Sequence, residues 1–203
     1  MTLTKSSRRL TLPGRKRLRD LLRRLASLAG WPSLLAHSEP TGGWELQVEF
    51  AGPRRMAGWN RAFLNHAGAT DVLAFDYTAA ARTPPQWETG GKAGCGLRVA
   101  GCGPEGEAED KFQIPNFKFP DPAEPALAGV LIVCPAVAAK ACRRYGTTPE
   151  DELLLYLVHG MLHLAGEDDL NPRAKRRMRR REAQILAALR AENLAAAGFF
   201  RLA

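Results

Sequence analysis

The chain has 203 residues, 45% hydrophobic and 25% charged, a composition that suits a globular domain with one sizeable core and one elaboration. No apolar run approaches the ~20 residues a membrane-crossing helix needs, so no transmembrane segment and no membrane partner are expected. Lysine and arginine total 29 against 21 aspartate and glutamate, a formal charge of +8 that favours a polyanionic partner without choosing one.

Residues 1–43 read as a basic amphipathic helix and a loop. Leu18, Leu21, Leu22, Leu25 and Leu28 recur at helical spacing with arginines opposite, and Gly30-Trp31-Pro32 ends the pattern. Interleaved leucine and arginine leave no unbroken apolar stretch for a secretory signal. The Arg-rich, acid-poor segment has some character of an organellar transit peptide, but a folded first helix is the preferred reading.

Trp44 to Phe50 alternates apolar and polar residues, the pattern of a half-buried strand. Arg54 to Asn65 reads as a short helix carrying Met56, Trp59 and Phe63, and Thr70 to Tyr77 as a second strand. Residues 78–127 hold Pro84-Pro85, Gly90-Gly91 and Pro120-Asp121-Pro122 and read as a long insertion. Leu97–Val99 and Phe112–Ile114 are its candidate hairpin strands. Val130 to Val133 is a continuous apolar run, as in a strand buried on both faces. A helix from Pro135 to Gly146 follows, with Val137, Ala138, Ala141, Cys142 and Tyr145 as its apolar face.

Thr148-Pro149-Glu150-Asp151 is a strong helix start: a capping hydroxyl, proline in the first turn, then acids at the positive end of the dipole. The helix it opens is apolar nearly all round and reads as central. Asn171-Pro172 starts a last helix with Ala174, Met178, Ile185 and Leu189 inward. Cys95, Cys102, Cys134 and Cys142 form no CxxC pair, and free thiols in a reducing cytoplasm are the simplest reading.

The chemistry concentrates at residues 159–169. His159 and His163 are one helical turn apart, roughly 6 Å, and can share a metal ion. Gly166 can adopt the left-handed conformation that ends a helix, turning the chain so that Asp169 returns toward the same ion. Two imidazoles, a carboxylate and an open position are the ligand set of a catalytic zinc site. The H-x3-H-x2-G-x2-D spacing resembles that of metzincin proteases. Those enzymes carry a glutamate base after the first histidine, where this chain has Gly160, so a protease is the minority reading.

A closer resemblance is to the YbeY family of bacterial rRNA maturation factors. It runs through His159, Gly160, Leu162, His163, Leu164, Gly166 and Asp168, then Met178 and Glu182; Asn60 followed by Thr70-Asp71-Val72-Leu73-Ala74-Phe75 forms a second block in the right order. The resemblance spans about Trp44–Tyr77 and Gly129–Leu186. It implies a metal-dependent, single-strand-specific endoribonuclease of ribosomal RNA maturation and ribosome quality control. Ribosomal RNA and the small ribosomal subunit would be its partners, one Zn2+ per chain its cofactor, and no small-molecule cofactor is expected. Two of the family's three metal histidines map onto His159 and His163 and the third onto Asp169. Zinc accepts a carboxylate oxygen, which offsets one more unit of metal charge than an imidazole does. An arginine that the family commonly places six residues before the TDVL threonine is Leu64 here, with Arg61 one turn away.

The site expectation is therefore His159, His163 and Asp169 as metal ligands, with a metal-bound water as the reacting species. Glu167 is a candidate proton acceptor, and Asp168 a supporting carboxylate, an alternative ligand or the cap of the last helix. Glu182 is either the acceptor for a ligating histidine N–H or a salt-bridge partner of Lys175, Arg179 or Arg181. Seven of the nine residues from Arg173 to Arg181 are basic: Arg173, Lys175, Arg176, Arg177, Arg179, Arg180 and Arg181. They are the candidate phosphate-tracking surface. The expected fold is a single α+β domain, residues 1–203. It has a mixed or largely antiparallel sheet of about four strands, packed with helices in a metalloprotease-like topology, and the HxxxH helix at its centre. The competing functions are a non-catalytic ribosome-assembly factor with a structural zinc, favoured by Leu64, and a zinc hydrolase of another class.

Overall fold

In the computed structural model, the described residues are 2–5, 10–11, 14–31, 44–76, 98–99, 126–194 and 200–202. In chain order they form β1 (Thr2–Lys5), β2 (Leu10–Thr11), α1 (Arg15–Ala29), β3 (Trp44–Phe50), α2 (Pro53–Leu64), β4 (Val72–Asp76), β5 (Arg98–Val99), β6 (Ala126–Val133), α3 (Pro135–Tyr145), α4 (Pro149–Leu164), α5 (Pro172–Ala191) and β7 (Arg201–Leu202). The class is α+β. The main sheet is mixed and has five strands rather than about four, in the order β1-β3-β6-β4-β5. β3 pairs in parallel with β1 and β6, whereas β4 runs antiparallel to both β6 and β5. β2 and β7 form a separate antiparallel pair.

The edge strand β1 escaped the sequence reading because Thr-Leu-Thr-Lys is too short to show a period. β5 was expected to pair with Phe112–Ile114; it lies against β4, at Phe75 and Asp76. Phe112–Ile114, and most of the 78–127 insertion, lie outside the described residues.

Successive side chains of a strand point to opposite faces, and β4 and β6 separate their residues accordingly. Leu73, Phe75, Val130 and Ile132 join Met56 and Trp59 of α2 in one core; Val72, Ala74, Leu131 and Val133 join α1, α4 and α5 in the larger one. α1 lays Leu18, Leu21, Leu22 and Leu25 into that larger core. α4 is buried almost all round because the sheet, α1, α3 and α5 surround it, as its sequence implied.

Gly160 is the point of closest approach between α4 and the sheet. A Cβ there would lie 2.9 Å from both Leu131 Cδ2 and Val72 Cγ2. The absent side chain is what lets the histidine-bearing helix sit down on β4 and β6. Glycine at this position thus has a packing reason as well as removing the zincin base.

Candidate metal centre and cleft

Local structure places the ligands. Thr148 Oγ1 accepts from Asp151 N–H at 3.1 Å and starts α4, so that His159 and His163 fall in its last two turns. The helix ends in paired closing bonds, Gly166 N–H to His163 O at 2.9 Å and Glu167 N–H to Leu162 O at 2.9 Å. Gly166 supplies the required left-handed backbone, φ +86°. Asn171 Oδ1 then accepts from Arg173 and Ala174 N–H, at 3.1 and 2.9 Å, and opens α5. Between these two caps the chain reverses, and a ligand oxygen of Asp169 comes within 4.8 Å of ligand nitrogens of both histidines.

Each histidine is oriented by a hydrogen bond from its far nitrogen. His159 Nδ1 donates to Glu182 Oε1 at 2.7 Å, and His163 Nδ1 to the Glu167 carbonyl at 2.9 Å. The rings meet edge to face, with the two Nε2 atoms 3.0 Å apart. With both Nδ1 atoms carrying protons, two neutral rings would point bare Nε2 lone pairs at one another. A cation between them removes that repulsion. In a tetrahedral zinc site with Zn–N near 2.05 Å, two ligating nitrogens lie about 3.3 Å apart, close to what is found here. The donor set and its spacing therefore fit such an ion.

The protonation tendencies agree. Burial disfavours charge on His159, but the hydrogen bond and charge of Glu182, helped by Asp71 and Asp169, outweigh it and raise its pKa. Burial, followed by repulsion from His159, lowers that of His163. One proton on His159, donated to His163, can hold the pair together where a metal would otherwise sit.

The other expected residues separate into groups. Glu182 sits on His159 rather than on Lys175, Arg179 or Arg181. Asp168 Oδ1 accepts from Leu170 N–H at 3.3 Å and so shapes the turn into α5. The Glu167 carboxylate pairs with Arg181 through Oε1 at 3.1 Å and lies 3.7 Å from Arg177, while its buried Oε2 has no hydrogen-bond partner among the described residues. Arg181 departs from a phosphate-tracking role. It is half-buried and also donates to the Leu28 and Ala29 carbonyls at 3.4 Å, closing the end of α1. Arg173, Lys175, Arg176, Arg177, Arg179 and Arg180 are exposed along α5.

His159, Asp169 and Glu182 line an open cleft of about 700 Å³, walled by α3, α4, α5 and the Ala69–Asp71 loop; Lys175 and Arg179 reach into it from α5. Asn60 Nδ2 donates to Gly68 O at 2.9 Å and Asp71 Oδ1 accepts from Val72 N–H at 2.9 Å, which fixes that loop beside the histidines. Leu64 is half-buried against the second core and Arg61 is exposed; neither lines the cleft. Among the described residues the cleft's one guanidinium is that of Arg179.

Two cleft residues were missed in the sequence. Glu152 and Tyr156 precede His159 and His163 at spacings that put all four on one face of α4, a polar stripe on an otherwise apolar helix. Glu152 is buried and accepts from Thr147 Oγ1 at 2.6 Å. Burial, then the charges of Glu152 and Asp71, pushes the Tyr156 phenol well above its ordinary range, so it stays protonated. The spacing was readable, but a lone glutamate in a first turn looks like a dipole partner.

A mixed sheet carrying a buried helix thus brings two histidines and a returning carboxylate together beside a cleft, a group that could hold a metal ion. The chain matches the family model described as Endoribonuclease YbeY over residues 16–190, and it belongs to that family. The Salinispora tropica endoribonuclease YbeY is 34% identical over 146 residues, 72% of this chain and 74% of that protein. The Cutibacterium acnes endoribonuclease YbeY is 27% identical over 144 residues, 71% of each chain. The solution structure of TM1509 from Thermotoga maritima covers 97% of this chain and 95% of that one at 16% identity, with a TM-score of 0.43.

Proposed function

We propose that this chain is a metal-dependent, single-strand-specific endoribonuclease that acts in the cytoplasm on ribosomal RNA during maturation and quality control, with the small ribosomal subunit as partner. The observation that carries the reading is the convergence of His159, His163 and Asp169, with His159 and Asp169 lining a cleft that Lys175 and Arg179 also line. The relatives' names supply the reaction class.

His159, His163 and Asp169 would hold Zn2+. When bound, the ion supplies Lewis acidity that activates a water and draws charge from a scissile phosphate. Glu182 keeps His159 in the tautomer that offers Nε2, and the Glu167 carbonyl does the same for His163. Lys175 and Arg179 hold the phosphodiester over the site, with Arg179 supplying the guanidinium that Leu64 does not. Arg173, Arg176 and Arg180 extend the track, and Arg177 contributes where Glu167 leaves its charge free. The solvent-side charge makes binding steeply salt-dependent.

The non-catalytic assembly-factor reading draws on Leu64, which packs against the core and brings no charge to the cleft. A cleavage assay on single-stranded and paired RNA separates the two. Metal-loaded wild type cutting only the unpaired strand, with chelator and His159→Ala each abolishing the cut, supports the nuclease. Stable ribosome binding without metal-dependent cutting supports the alternative.

A further inference from the structure

α3 buries Pro135, Ala138 and Cys142, and helical spacing puts Tyr145 on that same inward side, one turn beyond Cys142. Its expected place in the apolar face is not what the structure shows. Tyr145 is 65% exposed, one of two large hydrophobic side chains so exposed among the described residues. The reason is that the core ends beneath it: the cleft that holds His159 and Asp169 begins there, and Tyr145 lines its α3 wall. Among the described residues the ring presents open apolar surface at the mouth of a cleft whose lining holds the cations Lys175 and Arg179 beside the carboxylates Asp71, Glu152, Asp169 and Glu182.

The surroundings specify what fits. The Arg144 guanidinium lies over the ring, 5.6 Å from its centroid, so a flat cationic group already shares the site. Lys140, Arg143 and Arg144 are exposed on the same helix, and Lys175 and Arg179 line the cleft from α5. Aromatic surface among cations suits a flat base attached to a phosphate chain, and an unpaired base is the one free to lie on it.

We propose that Tyr145 is a stacking platform for one unpaired nucleobase, held in the cleft beside the metal centre while Lys175 and Arg179 take the adjoining phosphates. This inference rests on the nuclease reading and adds to it a residue that selects unpaired strand. A base in a duplex keeps its own stacking partners and cannot reach the ring. Tyr145 is a positioning residue; the ring's face, not its hydroxyl, carries the effect.

The test measures fluorescence anisotropy of the full-length, metal-loaded chain with a labelled single-stranded 2′-O-methyl oligonucleotide. A parallel set carries one abasic position moved along the strand. Tyr145→Ala should weaken binding by ~5- to 150-fold, the range for loss of one base–aromatic stack, while Tyr145→Phe binds as wild type does. One abasic position should weaken the wild type and leave Tyr145→Ala unmoved. Equal binding by wild type and Tyr145→Ala overturns the platform, as does an equal loss in Tyr145→Phe or additive loss at every abasic position. If those failures accompany metal-dependent RNA cutting by the wild type, the nuclease reading stands alone. If the wild type neither binds nor cuts RNA, that reading falls and the platform with it.

Discussion

Adding one methyl group at Gly160 tests the packing that seats the histidine helix. In Gly160→Ala the new Cβ would lie 2.9 Å from Leu131 Cδ2 and from Val72 Cγ2. Leu131 is fully buried and has little room to turn aside, and a β-branched valine on a strand has a stiff χ1. Overpacking of this kind costs ~1–3 kcal/mol, and two simultaneous contacts on constrained side chains place it in the upper half. Replacing glycine by alanine inside a helix returns about 1 kcal/mol. The net destabilisation is ~1–2 kcal/mol, which lowers Tm by roughly 2–8 °C in a chain of this size. Thermal melts by circular dichroism measure it. Combining the change with Val72→Ala should cost less than the sum of the two single changes by ~1 kcal/mol, because the smaller side chain makes room. A Gly160→Ala protein as stable as the wild type, or more so, would refute the close-approach argument. By the same geometry Gly160→Glu points its carboxylate at β4 and β6, so it should unfold the site rather than create a protease, which a peptide-cleavage and melting assay would check.

Other consequences follow from the site's hydrogen bonds and charges. Glu182→Ala leaves the half-buried His159 N–H without its acceptor and should weaken metal binding by ~10- to 100-fold, read by chelator competition; unchanged affinity would remove Glu182 from the site. Because His159 holds its proton to higher pH than a free imidazole, an entering ion must displace that proton at acidic pH. Zinc affinity should therefore fall by about tenfold per pH unit below the His159 pKa and level off above it, while His159→Gln flattens the curve. Asp151 has its pKa lowered by the Thr148 hydroxyl first and by Arg190, which it meets at 2.8 Å. A depressed carboxylate contributes stability above its unfolded pKa that is lost as pH falls through the folded one, so the effect of Asp151→Asn should be largest near neutrality and vanish in acid. Since the pair is substantially exposed, its size should be no more than about 1 kcal/mol, measured by urea unfolding at several pH values.

How much of this could be read from sequence depended on whether local rules or distant contacts decided the outcome. The caps at Thr148 and Asn171, the glycine turn at Gly166 and the inward stripe Ala174, Met178, Ile185, Leu189 are short-range signals, and the described residues show all of them. The convergence of His159, His163 and Asp169 needed only a helix period and one left-handed turn. Arg181 went differently because two of its partners, the carbonyls that end α1, lie about 150 positions away in the chain, and once turned inward it meets Glu167. A run of basic residues reads as one surface until tertiary contacts turn one member inward. Tyr145 shows the converse: its register was inward, but where the core stops is a property of α3, α4 and α5 together. Glu152 and Tyr156 were hidden for the same reason, since a cleft has no local sequence period of its own.

The central claim is that His159, His163 and Asp169 form one metal site with Glu182 behind it. Its most direct measurement is metal content and zinc affinity of the purified chain, wild type beside His159→Ala and Asp169→Ala, by elemental analysis and calorimetry. The account predicts one equivalent in the wild type, loss of high-affinity binding in His159→Ala and a large loss in Asp169→Ala, with all three proteins folded. Full-affinity binding that survives His159→Ala, or a folded wild type that takes up no metal, would contradict it.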